Sequence, residues 1–376
     1  MQVGTREEAA LRVKEAAHRV GFDAVGIARA DRSADADRFR EWIARRYHGE
    51  MAWMEARPER REDPRVYMPG AVSIVCVAQS YLVQEAPVAP PDRGEVSVYA
   101  RGEDYHRVLK ECLREMEAEI HGLGGRARAC VDTSAVLEKP WAAQAGVGWV
   151  GKNTLLLREE LGSYVFLGEL VTDLDLAPDP PSVDRCGTCD RCITACPTAA
   201  IVAPYVLDSR LCISYLTIEH RGPIPRGLRP AIGNRVFGCD DCQTVCPWNR
   251  HAKAASEARY GPREASVAPP LAELLALSEE AFRARFRDTA VSRARREGLA
   301  RNAAIALGNA GDPAAVPALA RALAEDPSAV VRGAVAWALG RIGGAQARET
   351  LVARRDAEAD SVAREEIALA FESLSE

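Results

Sequence analysis

Cysteine spacing is the feature of this sequence that most limits how the chain can fold, because eight of its eleven cysteines lie between residues 186 and 246. They form two runs that each close with Cys-Pro, separated by one isolated cysteine: Cys186, Cys189, Cys192 and Cys196, then Cys212, then Cys239, Cys242 and Cys246. Two such runs are typical of a fold that binds two 4Fe–4S clusters, in which the last cysteine of a run binds the other cluster. The spacing therefore predicts one cluster on Cys186, Cys189, Cys192 and Cys246 and a second on Cys196, Cys212, Cys239 and Cys242.

Zinc sites and disulfides are the alternatives for these cysteines. Zinc sites use paired Cys-x-x-Cys units, but they do not require a triple run closed by Cys-Pro. Disulfides are typical of exported proteins, and the charged N-terminal stretch MQVGTREEAALRVKEAAHRVGF has no apolar core of a signal peptide. No apolar run approaches the roughly 18 residues of a membrane span. We therefore expect a cytoplasmic protein without a membrane partner, in which the grouped cysteines bind metal and Cys76, Cys112 and Cys130 are buried packing residues.

A length of 376 residues suggests two or three domains, and the pattern along the chain predicts an α+β protein with three regions. Residues 1–176 alternate helical and strand patterns, which predicts a mixed α/β domain with a mixed sheet. The Pro-rich segment APDPP opens a ferredoxin-like domain at residues 177–250. Residues 251–376 carry an arginine-rich segment and helical repeats. No nucleotide-binding glycine loop follows a predicted strand, so nucleotide-binding loops of that kind are not supported.

An internal repeat organises the C-terminal region. Val330, Arg332, Val335 and Leu339 recur thirty-two residues later as Val362, Arg364, Ile367 and Phe371, and AIALG ending at Gly308 recurs as AWALG ending at Gly340. Stacked helix pairs rich in Ala and Leu explain such a period. The period is shorter than the roughly 40–47 residues of most HEAT repeats. We therefore predict short HEAT-like repeats, which either form a structural cap or present a concave binding surface.

An arginine-rich stretch precedes the repeat, although the net charge of the chain is −5 and gives no global sign of a nucleic-acid partner. In FRARFRDTAVSRARREGLARN only Asp288 and Glu297 oppose seven arginines: Arg283, Arg285, Arg287, Arg293, Arg295, Arg296 and Arg301. The planar guanidinium group suits bidentate contact with phosphate. The stretch therefore predicts contact with a phosphate backbone, and the alternative is an ordinary solvated face.

A carboxylate at the end of a predicted strand is the candidate acid–base group. Asp132 follows the strand-like RARACV and precedes a glycine-rich turn. This position suits acid–base chemistry, but Asp also favours the N-cap of a helix, and on the residues alone the N-cap is modestly preferred. Asp104 in GEDYH is expected to cap the long helix that follows it.

Four segments of the chain together resemble the epoxyqueuosine reductase family: VDTSAVLEKPWAAQAGVGWVGKNT, GCDDCQTVCPWN, CISYLTIEHRGPIP and the HEAT-like C-terminus. The resemblance runs nearly end to end. The Asp132 segment and residues 212–225 make it specific, because many ferredoxin-like proteins share the cysteine spacing. It implies an oxidoreductase that reduces epoxyqueuosine to queuosine at the wobble position of tRNA anticodons, with electrons passing through two 4Fe–4S clusters to cobalamin.

The resemblance also implies that residues 1–176 bind cobalamin and substrate and that residues 251–376 bind tRNA, and it implies roles for particular residues. Asp132 matches the proposed proton donor of the family, a role in which a carboxylic acid needs a raised pKa. The eight cysteines match the cluster ligands. The implied cobalamin or substrate contacts are Arg57, Tyr99, Asp104, Asp132, Lys139, Lys152, Asn153, Ser163, Ser209 and Ser214. The implied tRNA contacts are Glu219, His220, Arg221 and the seven arginines of the arginine-rich stretch.

The implied partners are tRNA carrying epoxyqueuosine and an electron donor of the ferredoxin or flavodoxin type, and we expect a monomer. No Asp-x-His-x-x-Gly occurs, so cobalamin is expected to bind without a histidine as its lower ligand. Two alternatives from other classes remain. A flavin-dependent iron–sulfur reductase of a small molecule would show flavin rather than corrin absorption. A nucleic-acid-binding scaffold with structural clusters would not cycle with a reductant.

Overall fold

The chain folds into two compact units in the computed structural model, which describes residues 5–83 and 89–374. The first unit contains residues 5–83, 102–209 and 241–261, and the second contains residues 89–101, 210–240 and 262–374. Each unit is therefore built from separate stretches of chain. Within the described residues, no helix is both long enough and apolar enough to cross a membrane.

Short strands and helices alternate through the first half of the chain, and helices dominate the second. The strands are β1 (Ala24–Arg29), β2 (Ser73–Ser80), β3 (Glu95–Val96), β4 (Ala127–Cys130), β5 (Trp149–Val150), β6 (Leu156–Leu157), β7 (Val165–Thr172), β8 (Ile201–Ala203), β9 (Val206–Leu207) and β10 (Arg235–Phe237). The helices are α1 (Arg6–Arg19), α2 (Ala36–Ala44), α3 (Ala52–Glu55), α4 (Pro58–Glu62), α5 (Pro64–Tyr67), α6 (Tyr105–Gly122), α7 (Glu138–Gln144), α8 (Arg191–Ala195), α9 (Ile213–Ile218), α10 (Arg229–Ile232), α11 (Asp241–Thr244), α12 (Leu271–Ala276), α13 (Glu279–Arg285), α14 (Arg295–Ala310), α15 (Val316–Glu325), α16 (Ala329–Ile342), α17 (Gly344–Arg355) and α18 (Ser361–Ser373).

A four-stranded sheet in the order β1-β2-β7-β4 forms the centre of the first unit. Every residue of β2 is buried, and so is nearly all of β7. Both central strands are therefore apolar along most of their length and do not alternate with polar residues. All three strand pairs are antiparallel, so the prediction of a mixed sheet was wrong. β1 and β2 are neighbours in the sheet and run antiparallel, so the helices between them return the chain to the same end of the sheet.

Helices cover both faces of this sheet. α6 packs on β4 and β7 beside α1, and its Leu113 side chain lies against Gly168. α7 packs on the other face, where Trp141 joins a buried cluster with Cys76 and Cys130. Asp104 caps α6 as predicted, because its side chain accepts the N–H of His106 at 3.0 Å. Since the chain turns from α6 into β4, the start of α6 lies beside the end of β4.

The cysteine-rich segments of the first unit are short helices joined by turns. α8 packs against α11, and β8 pairs with β9 in a small antiparallel hairpin. Pro follows Cys196 directly after α8 and also follows Cys246, and neither helix continues through its Cys-Pro pair. These terminations leave the cysteines on loops at helix ends.

The second unit stacks its helices at a constant period, as predicted from the sequence repeat. α14 packs on α16, and α16 packs on α18. A Cβ placed on Gly308 would lie 2.8 Å from the backbone of Ala338, and one placed on Gly340 would lie 3.0 Å from the backbone of Ala370. The same close contact therefore recurs one repeat later, and only glycine permits it. This explains why the glycine that closes AIALG recurs at the end of AWALG.

Candidate active site and cysteine cavity

Four of the cysteines line a single cavity in the first unit. They are the four predicted for the first cluster: Cys186, Cys189, Cys192 and Cys246. All are free thiols, and each is partly buried. Within the described residues, no three His, Cys, Asp or Glu side chains converge as they would around a single metal ion. The four thiols are instead spread around the walls of the cavity, and a soft thiolate donor set of this kind suits an iron–sulfur cluster.

The other four cysteines are divided between the two units. In the first unit Cys196 follows α8 and Cys242 lies in α11. In the second unit Cys212 immediately precedes α9, and Cys239 follows β10. The hydroxyl of Thr217 in α9 accepts the N–H of Gly238 at 2.9 Å, which fixes the chain beside Cys239 against α9.

Three residues implied as cobalamin or substrate contacts touch the cysteine-rich segments. The Lys152 ammonium donates to the carbonyl oxygens of Gly187 at 2.7 Å and Cys189 at 2.9 Å, which holds the first cysteine loop. Asn153 lines the cysteine cavity. The Ser163 hydroxyl is buried and donates to the Gln243 side chain at 2.9 Å. The hydrogen bonds of Lys152 and Ser163 give these two residues a role in positioning the cysteine-rich segments.

The acid–base candidate belongs to a chain of three side chains at the start of α6. His106 lies between two carboxylates: its Nδ1 is 2.7 Å from Asp104 Oδ1, and its Nε2 is 2.9 Å from Asp132 Oδ2. The His106 side chain is 19 % exposed and that of Asp132 is 46 % exposed. The carboxylate of Asp132 therefore faces solvent. The more buried imidazole of His106 contacts it, and Asp104 contacts the other nitrogen of the ring.

The charge of His106 follows from this arrangement. Burial opposes the charged imidazolium, but hydrogen bonds and charge interactions with Asp104 and Asp132 outweigh burial and raise the pKa of His106 to about 9. Burial would raise the pKa of Asp104, but the hydrogen bonds and charge of His106 lower it overall. At neutral pH His106 is an imidazolium that donates one N–H to each carboxylate.

Asp132 is not a helix N-cap, so the alternative that the residues alone favoured was wrong. The next helix, α7, begins six residues later at Glu138, and its N-cap residue Leu137 makes no side-chain cap. The backbone of Asp132 is left-handed, with φ 44°, and its N–H donates to the Glu138 carboxylate. The loop folds back on the start of α7, so the side chain of Asp132 is directed to His106 and does not cap the helix.

A buried arginine connects this loop to the segment that carries Arg57. Arg61 donates to the carbonyl oxygens of Ser134 at 3.3 Å and Trp53 at 3.1 Å. Arg57 is exposed at the start of α4, in the left-handed region with φ 55°. Lys139 follows Glu138 in α7 and is partly buried. Arg57, Lys139 and Asp104 are thus the implied cofactor contacts that lie on segments tied to Asp132.

The remaining implied contacts lie elsewhere. Ser209 in the first unit is 5 % exposed, and its N–H donates to the Tyr47 carbonyl at 2.9 Å. In the second unit, the ring of Tyr99 lies 6.1 Å from that of Phe237, and Ser214 is partly buried in α9.

The loop after α9 is fixed to the arginine-rich stretch. Glu219 accepts a hydrogen bond from Arg293, and Arg221 donates to the carbonyl oxygens of Arg293 at 3.1 Å and Ala294 at 3.2 Å. His220 Nε2 lies 3.1 Å from the Pro223 carbonyl oxygen. These side chains, implied as tRNA contacts, hold the fold of the second unit together.

The seven arginines divide by burial. Arg301 is 1 % exposed and donates to the carbonyl oxygens of Leu216, His220 and Gly222. Arg296 forms an ion pair with the buried Asp326. Arg285 pairs with Glu273 at 3.3 Å and is partly buried, as is Arg293. The exposed members are Arg283, Arg287 and Arg295.

Sequence reasoning missed His106 and Glu138. Asp104 and His106 are two residues apart at a helix start, where a capping aspartate can also reach the imidazole, and that pattern is visible in GEDYH. Nothing in the sequence indicates that His106 meets Asp132, because the contact depends on how α6 and β4 pair in space.

Comparisons with known proteins agree with these features along the chain. A family model described as "Epoxyqueuosine reductase QueG, DUF1730" matches residues 61–133, one described as "4Fe-4S double cluster binding domain" matches residues 185–249, and one described as "HEAT repeats" matches residues 288–372. These matches confirm the predicted double-cluster domain and helical repeats.

Two curated relatives match most of the chain. An epoxyqueuosine reductase of Pseudomonas aeruginosa is 44 % identical over 342 residues, which cover 88 % of this chain and 94 % of the relative. That of Escherichia coli K12 is 42 % identical over 337 residues, which cover 88 % of each chain.

Two solved structures share the whole fold. An epoxyqueuosine reductase crystallised with an epoxyqueuosine-modified tRNA-Tyr stem loop has a TM-score of 0.94 at 34 % identity, covering 99 % of this chain and 100 % of the other. The enzyme from Bacillus subtilis, described with its catalytic aspartate loop swung out of the active site, has a TM-score of 0.92 at 33 % identity and covers 98 % and 100 %. Identity above 40 % across nearly nine-tenths of the chain shows the family. This chain belongs to the epoxyqueuosine reductase family of oxidoreductases.

Proposed function

We propose that this protein reduces epoxyqueuosine to queuosine at the wobble position of tRNA anticodons, in the cytoplasm. Removing the epoxide oxygen as water takes two electrons and two protons and leaves a carbon–carbon double bond. The reaction therefore needs an electron path and a proton donor. The observation that carries the proposal is that one compact unit holds both Asp132, bound to a charged imidazole, and four cysteines around one cavity.

Asp132 is the proton donor in this proposal. An epoxide oxygen is a poor leaving group as an alkoxide, and a proton from a carboxylic acid removes that barrier. After the transfer, the Asp132 carboxylate is stabilised by the imidazolium of His106, which Asp104 orients from its other nitrogen. The same contact favours an ionised Asp132 in the free protein. Asp132 therefore has to leave His106, or be shielded by bound substrate, before it can hold a proton.

Cobalamin is the cofactor that the family implies, and the surroundings of Asp132 fit such a group. Asp132 faces solvent, and the segment with the exposed Arg57 is tied beside it by Arg61. Arg57, Asp104 and Lys139 would hold the cofactor at this surface. When bound, cobalamin supplies a strongly reducing cobalt centre. The chain's own part is to orient the substrate and to deliver the proton at the Asp132 carboxyl.

The electron path in the proposal runs through two clusters on the eight cysteines. In this proposal the cavity of Cys186, Cys189, Cys192 and Cys246 takes the first cluster. The second cluster is assigned to the other four cysteines from their spacing in the sequence alone. A donor of the ferredoxin or flavodoxin type supplies single electrons. The protein is taken to act as a monomer on tRNA, and the relative solved with a modified tRNA stem loop supports this choice of substrate.

One assay tests the proposal. Anaerobically reconstituted protein with cobalamin and a reductant is incubated with tRNA carrying epoxyqueuosine, and the nucleosides are analysed by mass. We expect the loss of one oxygen from the modified nucleoside. Protein that holds about eight irons and bound cobalamin yet leaves epoxyqueuosine unchanged would contradict the proposal. Flavin absorption in place of corrin absorption would support the small-molecule reductase instead.

A further inference from the structure

The loop of the proton donor is held at its backbone as well as at its side chain. Asp132 lies in the left-handed region, which few residues other than glycine adopt without support. Its N–H donates to the carboxylate of Glu138, the first residue of α7. Since α7 packs on the central sheet, Glu138 connects the exposed loop to the rigid part of the first unit.

A second carboxyl group lies in the sheet beneath α7. Cys76, Glu169 and Cys130 stand directly opposite one another on β2, β7 and β4, so their side chains share one face of the sheet. Cys76 and Cys130 pack with Trp141 of α7, which identifies that face as the one that α7 covers. Glu169 is 0 % exposed, and in the described structure neither of its carboxyl oxygens has a hydrogen-bond partner.

The two glutamates differ in charge. A fully buried carboxylate without a protein partner is costly to ionise, so Glu169 is a neutral acid. Burial, together with the charges of Glu138 and Asp132, raises the pKa of Glu169 well above its ordinary value. Burial followed by the charge of Asp132 also raises the pKa of Glu138, but its hydrogen bond to the Asp132 N–H and the charges of Lys139 and His106 oppose the rise.

We propose that Glu138 is a positioning residue for the proposed reaction: its carboxylate holds the backbone of Asp132 and so keeps the proton donor at His106. Glu169 serves as its neutral neighbour and does not act on the loop itself. Titratable and charged groups surround Glu138 and Glu169 on the neighbouring elements. They are Asp104 and His106 at the start of α6, Arg61 on α4, Lys139 on α7, and Cys76 and Cys130 in the sheet.

The hold depends on the charge of Glu138. A carboxylate accepts a stronger hydrogen bond from an N–H than a neutral acid or amide does. Because the pKa of Glu138 is raised, lowering the pH from about 8.5 to about 6 protonates part of Glu138, and the Asp132 loop is then released more often. Release frees Asp132 from His106, the contact that favours its ionised form.

Amide hydrogen exchange of the Asp132 backbone tests this inference on the full-length protein, without substrate, so its outcome is independent of whether the proposed function is right. In Glu138→Gln we expect the Asp132 N–H to exchange about tenfold faster at pH 8, since a charge-assisted hydrogen bond becomes a neutral one. Glu169→Gln is the matched control, because it makes the same chemical change in a carboxyl that is already neutral. We expect it to leave the Asp132 exchange unchanged.

The pH dependence provides the second measurement. In the wild type, protection of the Asp132 N–H, corrected for the intrinsic exchange rate, should fall between about pH 8.5 and pH 6, and in Glu138→Gln it should be flat. In single-turnover assays Glu138→Gln should lower the rate, because a released loop presents Asp132 to bound substrate less often, while Glu169→Gln should not. Equal loss of protection in both variants, or flat protection in the wild type, would overturn the inference. If Glu138→Gln does not fold, the wild-type titration alone decides.

Discussion

Two carboxylates share one imidazole at the start of α6, and the chemistry of the site depends on which of the three groups holds a proton. Asp104 is both the N-cap of α6 and the partner of His106 Nδ1, so the helix start fixes the orientation of the ring. His106 in turn directs its second N–H at the exposed Asp132. The resting arrangement therefore stabilises the carboxylate form of Asp132, and in the proposed reaction proton delivery requires a change at that contact.

Replacing Asp132 by Asn tests its role as the proton donor. The amide keeps the size of the side chain and one hydrogen bond, but it cannot deliver a carboxylic proton. Single-turnover conversion of epoxyqueuosine in tRNA should fall by about 10²- to 10⁴-fold, while cobalamin and tRNA still bind. Asp37→Asn, a change at an exposed residue of α2, is the control. Near-normal conversion would remove Asp132 from the mechanism, and failure to bind cobalamin would give it a structural role.

The raised pKa of His106 predicts a stability effect with a definite sign. The folded protein holds the His106 proton up to a pKa of about 9, whereas the unfolded chain releases it near the ordinary value of 6.5. The ion pairs thus contribute fully below pH 6.5, and their contribution falls as the pH rises toward 9. Thermal unfolding of wild type and His106→Gln should therefore differ most at or below about pH 6.5 and converge above pH 9. A difference that stays constant across this range would show that His106 is neutral in the fold.

At the scale of the element, the same kind of carboxylate–arginine ion pair occurs twice in the helical repeats. Asp326 and Glu358 occupy equivalent positions one repeat apart. Each forms an ion pair with an arginine of the preceding long helix, Asp326 with Arg296 and Glu358 with Arg332. The carboxylates also accept the N–H groups of Ser328 and Asp360. Each pair therefore fixes the turn before a helix and joins it to the helix before, which keeps the stacking period constant.

Replacing Glu358 tests whether this ion pair stabilises the repeat. Its side chain is 1 % exposed, and Arg332 binds both carboxylate oxygens, at 2.7 Å and 2.8 Å. Hydrogen bonds from Arg332 lower the pKa of Glu358 to about 2, so its contribution is complete above 4.5 and is lost only as the pH falls toward 2. Glu358→Ala removes the carboxylate partner of the partly buried Arg332, which still donates to the carbonyl oxygens of Asp326 and Pro327. Chemical denaturation at neutral pH should therefore show a loss of about 1.5–3 kcal/mol.

Asp356→Ala provides the control for that experiment. Asp356 lies two residues away, is 82 % exposed and pairs with Arg355 at the surface. We expect its removal to have little effect on unfolding, because exposed ion pairs are screened by water. If both variants unfold alike, the buried pair does not fix the repeat.

Features set by spacing along the chain could be predicted from the sequence, and features set by tertiary pairing could not. The two cysteine runs and the glycines at 308 and 340 depend on local spacing and on a repeat, so both were visible. The contact of Glu138 with the Asp132 backbone depends on how a loop folds back on a helix. Arg287 and Arg301 look alike in the sequence, yet Arg287 is exposed and Arg301 is buried under backbone carbonyls.

For the whole molecule, this division of the arginines changes how tRNA binding should be tested. Arg301 and Arg296 hold the second unit together, so replacing them would disturb the fold before it reported on RNA. Arg287 and Arg295 are exposed, and their guanidinium groups are the better candidates for phosphate contact. The wobble-position substrate of the proposed function requires contacts of this kind, because phosphate contacts position a nucleic acid without reading its sequence.

The double change Arg287→Gln and Arg295→Gln should weaken binding of tRNA and leave both clusters intact. Binding releases fewer counterions when a phosphate contact is lost. The slope of log affinity against log salt should therefore become shallower by about 1 per contact, or about 2 in total. Arg12→Gln with Arg19→Gln removes the same charge from α1 in the first unit, where both arginines pair with Glu119, and controls for net charge alone. Equal slopes for the two double variants would mean that overall charge, and not this surface, attracts tRNA. An unchanged slope in the Arg287 and Arg295 variant would show that the arginine-rich stretch is an ordinary solvated face.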